Sequence, residues 1–138
     1  MRLFTPKIDS MKNLILMLMV FPLFILSCGS KNESEQMMSF IPGTYARQSD
    51  GEFGKSYDTL VISLQNKAAN QFKIVRRWRY DRVLDGKPID PEYKVTETSA
   101  VYDASSKALQ ESETLDAFTF DVKKKLLFDG PNQFNKIK

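Results

Sequence analysis

After Ile41, apolar and polar residues alternate in short runs separated by clusters of Gly, Pro, Asn, Asp, Ser and Lys. A two-residue period places successive side chains on opposite faces of an extended strand. Leu60, Ile62 and Leu64 thus share one face, and Val61, Ser63 and Gln65 the other. The same reading gives strands at 44–48, 60–65, 71–84, 93–103, 108–113, 117–121, 126–129 and 133–137, eight in all. The connections at 49–51, 66–70, 85–91, 104–107, 114–116, 122–125 and 130–131 are short and mostly polar. Short connections make neighbours in sequence neighbours in a sheet. The pattern therefore predicts an all-β domain over residues 41–138, an antiparallel up-and-down meander of about eight strands. Closure into a small barrel removes both edges, and a two-sheet sandwich of the same strands is the alternative.

A different pattern precedes this domain. Met11-Lys12-Asn13 is followed by thirteen residues, 14–26, that are apolar apart from Pro22, and then by Ser27 and Cys28. A membrane-spanning helix needs roughly 17 to 25 apolar residues. A positive start and a short apolar run ending at a small residue are instead the parts of a secretory signal. Residues 1–27 are read as that signal, with Met1 or Met11 as its start. The tail Ile25-Leu26-Ser27-Cys28 resembles the lipobox of bacterial lipoproteins. The resemblance implies cleavage before Cys28, a palmitate-type acyl chain on its sulfur and a further chain on the new amino terminus. Several chains anchor durably where one does not. Residues 28–40 are polar at first and without periodicity, and read as a lipidated flexible tether. Gly29 lacks the aspartate that retains lipoproteins at the inner membrane, and Lys31, Glu33 and Glu35 resemble the charged tether of Bacteroidota-type surface lipoproteins. The expected place is the outer membrane, on its periplasmic or its surface side.

Composition narrows the chemistry. With no histidine and one cysteine, the chain has no Ser-His-Asp or Cys-His arrangement, no imidazole ligand and no internal disulfide. No cofactor and no metal are expected. The formal charge of +3 is largely a property of the signal. Its removal takes three basic residues and one acidic residue, leaving 17 Lys and Arg against 16 Asp and Glu, a net of +1. Near-neutrality gives no global argument for nucleic acid.

The most unusual segment is Arg76-Arg77-Trp78-Arg79-Tyr80-Asp81-Arg82. Interleaved arginines and aromatics can hold a single-stranded nucleic acid, but strand parity separates them. Phe72, Ile74, Trp78, Tyr80 and Leu84 fall on one face, and Arg77, Arg79 and Asp81 on the other. Arg76 falls among the apolar residues. If the next strand pairs so that residue numbers sum to 175, Arg76 opposes Ser99 and lies diagonal to Glu97. Fourteen residues is long for a strand, and a bulge within it would reverse the parity. Arg76, Glu97 and Ser99 beside Trp78 and Tyr80 read either as polar groups of a small-molecule site or as a buried ion pair. Glu111 and Glu113 read as solvated charges, and Lys123-Lys124-Lys125 as a hairpin turn or a surface patch. Asp58-Thr59-Leu60 resembles the O-glycosylation acceptor of the same bacterial lipoproteins.

Ile41-Pro42-Gly43-Thr44-Tyr45 resembles the Gly-x-Trp opening of the lipocalin first strand, with Tyr45 in place of tryptophan. Residues 42–45, 85–88 and 91–94 resemble segments of small Bacteroidota-type lipoproteins of unassigned function. The resemblance implies a lipocalin-like barrel and no activity. The expected function is a non-enzymatic envelope module, held to the membrane through Cys28, that binds a small apolar ligand or docks to an envelope protein through the 85–91 loop. An inhibitor of a cell-wall-degrading enzyme is a variant of that reading. A carboxylate-based hydrolase is the alternative of another class.

Overall fold

A computed structural model describes residues 29–138. The expected signal and Cys28 lie outside the described residues. Helix α1 (Gly29–Phe40) precedes nine strands: β1 (Gly43–Gly51), β2 (Gly54–Asn66), β3 (Gln71–Leu84), β4 (Lys87–Pro88), β5 (Glu92–Asp103), β6 (Ala108–Glu111), β7 (Ala117–Asp121), β8 (Leu126–Asp129) and β9 (Asn132–Lys136). Eight of them pair antiparallel in chain order, and β9 returns to β1 through Tyr45 opposite Lys136 and Ala46 opposite Asn135. The result is a closed up-and-down barrel and not a sandwich. The two-residue β4 pairs only with the far end of β3.

Strand β2 starts earlier than the alternation implies. Residues 54–59 pair with β1 and β3, but their inward positions are Ser56 and Asp58, and polar residues on the core face hid the strand. The hairpin at 66–70 forms as expected, with Asn66 Oδ1 accepting from the amides of Ala68 at 3.0 Å and Ala69 at 3.3 Å. The irregularity in pairing lies between Leu64 and Asn66, not inside β3.

The register between β3 and β5 departs from expectation. Ile74 faces Thr98 and Phe72 faces Ala100, so paired numbers sum to 172. An odd shift of three residues exchanges the faces of a strand. Thr96, Thr98, Ala100 and Tyr102 point inward, whereas Tyr93 and Val95 are each 67% exposed. The apolar Tyr93, Val95 and Val101 had marked the wrong face as the core side.

The core fills the barrel near α1. Tyr45, Leu60, Phe72, Leu109, Leu127 and Phe134 are fully buried, with Ile62, Ile74, Tyr102 and Phe118 beside them. Burial of each large apolar side chain contributes about 1.5 to 3 kcal/mol.

Residues 29–40 are helical where a flexible tether was expected. The helix is polar through Gln36, which carries the tether-like composition, but Met37, Phe40 and Ile41 then fall on one side and close the barrel end. Phe40 meets Tyr45 and Phe120 edge-on, each at 6.2 Å between centroids. The Tyr45 hydroxyl donates to the carbonyls of Phe40 at 3.0 Å and Ile41 at 2.9 Å. Lys136 Nζ donates to the carbonyls of Phe40 and Pro42, so the helix end that lacks intrahelical partners is satisfied from the barrel.

Candidate functional site: a polar cavity at the open end

Moving away from α1, the inward positions change from apolar to polar at one level of the barrel. On β1, Tyr45 gives way to Arg47; on β2, Leu60 to Asp58; on β3, Ile74 to Arg76 and Trp78; on β8, Leu127 to Asp129. Above that level lies a cavity of about 770 Å³.

Its floor is an ion cluster centred on Arg76. The guanidinium donates from Nε to both Asp58 oxygens, at 3.0 and 3.1 Å, and from Nη2 to Asp58 Oδ2 at 2.5 Å. From Nη1 it reaches Asp129 Oδ2 at 3.3 Å. The Asp58 side chain is 6% exposed, and the Phe134 ring lies 6.0 Å below the guanidinium carbon. The hydrogen bonds that Arg76 donates to Asp58 chiefly hold its pKa above the ordinary value, against the opposing effect of burial. Asp129 shifts up, because burial disfavours its charge and Asp116 and Asp58 repel it, with Arg76 acting against both. The third carboxylate, Glu111, is buried and accepts from the hydroxyls of Thr98 and Thr114, each at 2.5 Å. Among the described residues every buried side-chain polar atom has a partner.

Of the residues singled out from sequence, Arg76, Trp78 and Tyr80 do point inward, and the Trp78 and Tyr80 rings stack at 5.7 Å with planes 21° apart. Glu97 is not the partner of Arg76. The register shift turns its carboxylate outward, where it pairs with Lys73. Ser99 shares that outer face. Glu111, expected to be solvated, is buried, while Glu113 lies beyond the end of β6 and is exposed. Asp58 was legible in principle, since it has the parity of Leu60 and Ile62; extending that alternation by one step would have found it. Asp129 carried no such signal.

The walls above the floor hold unspent hydrogen-bonding capacity. Among the described residues the Arg47 guanidinium, the Trp78 indole N–H, the Lys94 ammonium and the Thr96 hydroxyl have no protein partner on the β1, β3 and β5 side. Across the opening, the Glu113 and Asp116 carboxylates are acceptors of the same kind. This arrangement can hold a flat ring against Trp78 while donating from one wall and accepting at the other. No group of three or more His, Cys, Asp or Glu is placed to hold a metal among the described residues. In comparison with known proteins, no family model, curated protein or solved structure matches the chain.

Proposed function

We propose that the protein is a non-enzymatic, lipid-anchored binding module of the bacterial envelope that takes a small polar ligand of saccharide type into the open end of its barrel. The observation that carries this reading is the cavity of about 770 Å³ with an aromatic platform, donors on one wall and acceptors on the other. A polar ligand fits better than an apolar one, because side chains already occupy the apolar half of the interior. The floor cluster is saturated by its own partners, so it acts as a rigid base and leaves recognition to the walls. The lipobox resemblance supports anchoring through Cys28. Mass spectrometry of the N-terminal peptide from membrane-derived protein checks it, and a Cys28→Ala variant should leave the membrane fraction.

Trp78 is the only tryptophan of the chain, so its emission reports on the cavity directly. Titration with neutral, amino and acidic oligosaccharides should give a saturable change with at least one class. Arg47→Ala and Asp116→Ala should each weaken that binding about tenfold, the equivalent of about 1.4 kcal/mol. Absence of a saturable response across the panel would sink the saccharide reading.

A second reading is favoured by the apolar tip beyond the cavity, where Phe53 is 63% exposed, Leu84 58% and Ile89 38%. Such a tip suits docking to an envelope protein or into the cleft of a cell-wall-degrading enzyme. Leu84→Ser with Ile89→Ser would abolish docking and leave the Trp78 titration unchanged.

A further inference from the structure

The barrel is polarised in charge along its axis. Its topology sends alternate connections to opposite ends. At the α1 end lie residues 67–70, 104–107 and 122–125 and the terminal 137–138. They are tied together by backbone bonds from Tyr102 to Asn70, from Lys136 to Lys125 and from Thr44 to Lys138, each 2.9 Å. These segments carry Lys67, Lys107, Lys123, Lys124, Lys125 and Lys138, all exposed, and no acidic residue. The opposite end has 52–53, 85–91, 112–116 and 130–131, with Glu52, Asp85, Asp90, Glu113 and Asp116 against Lys87. Asp103 and Asp121 adjoin these segments in sequence, and Glu35 borders the same hollow as Lys67. Asp103 is engaged by the hydroxyls of Ser105 and Ser106, and Asp121 lies 3.9 Å from Lys124.

We infer that the lysine-rich end of the barrel rests on a surface of anionic lipid headgroups, which holds the cavity facing away from the membrane. The inference rests on the envelope-anchor reading. Three features favour lipid as the occupant. The lysines come from four separate segments around one end of the barrel, which fits a plane better than a groove. They are compact, hydrated point charges, whereas the forked guanidinium groups suited to bidentate contacts, those of Arg47, Arg76, Arg77, Arg79 and Arg82, all lie toward the other end. The chain also enters the barrel there, since Ser34 and Glu35 border the same hollow as Lys67 and Asn70. Each lysine near an anionic surface adds to an attraction that fades within a Debye length, so the docking is sensitive to salt.

The test is a lysine-acylation footprint of the full lipidated chain on phosphatidylcholine vesicles with and without phosphatidylglycerol, read residue by residue by mass spectrometry. With the anionic lipid, Lys67, Lys123, Lys124, Lys125 and Lys138 should react several-fold more slowly and recover at high salt, while Lys87 and Lys94 stay unchanged. The Lys123→Gln/Lys124→Gln/Lys125→Gln variant, altered only in an exposed turn, should stay on the vesicles and lose most of the lipid dependence at the remaining lysines. Equal reactivity on both vesicles, or protection that extends equally to Lys87 and Lys94, overturns the inference while the anchor stands. A chain that leaves both kinds of vesicle overturns the anchor reading and the docking with it.

Discussion

Arg76 concentrates the energetics of the site in one side chain. Removing it by Arg76→Met would leave Asp58 buried without a cation, at a cost on the order of 3 kcal/mol, because a buried charge that loses its partner keeps its desolvation penalty. The double variant Arg76→Met/Asp58→Leu should recover much of that loss, and Glu97→Leu should change stability by no more than about 0.5 kcal/mol, as exposed positions usually do. Urea melts of the three variants check all of this. That Arg76 points inward was legible in the sequence, because parity along one strand is a local property. Its partner was not, because partnership depends on the registers of β2 and β8 against their neighbours. Tyr93 and Val95 show the physical reason: two exposed apolar residues in one strand are enough to exchange its inferred faces when the charge beside them, Glu97, can be read as the partner of an inward arginine.

At the scale of elements, α1 is held by two side chains reaching to it from the barrel, Tyr45 and Lys136. Tyr45→Phe keeps the packing but takes the hydroxyl donor from the Ile41 carbonyl and leaves the Phe40 carbonyl with Lys136 alone. It should cost about 1 to 3 kcal/mol and speed hydrogen exchange in α1 more than in the strands. Lys136 holds the same helix end from beneath the Phe40 ring, 4.2 Å from its centroid. Burial, aided by Lys125, lowers its pKa below the ordinary lysine value of 10.5. The folded state therefore releases this proton at a lower pH than the unfolded chain does. Between those two pKa values the unfolded state binds more protons, so this residue's contribution to stability rises with pH toward 10.5. Melts of the wild type and Lys136→Met across that alkaline range should differ in slope, with the wild type gaining relative to the variant as pH rises. The strands were legible from alternation, but the helix was not. Its polar first two-thirds have the composition of a linker, and its few apolar residues matter only where a barrel end is there to receive them.

For the whole molecule, the eight-strand closed meander follows from short connections and the need to cover edges, both of which the sequence displays. The polar upper interior did not follow, because an inward polar residue looks the same in sequence as the end of a strand. Closure itself has a consequence for how the chain comes into being. The seam joins the first strand to the last, across Tyr45 and Lys136. Until the final segment has been synthesised, β1 presents a bare row of backbone donors and acceptors able to recruit a strand from another molecule. Folding must therefore finish after synthesis of the last strand and not during it. A chain truncated before Asn132 should not give a smaller barrel but a species with two open margins, accumulating as aggregates in proportion to how fast the strands arrive.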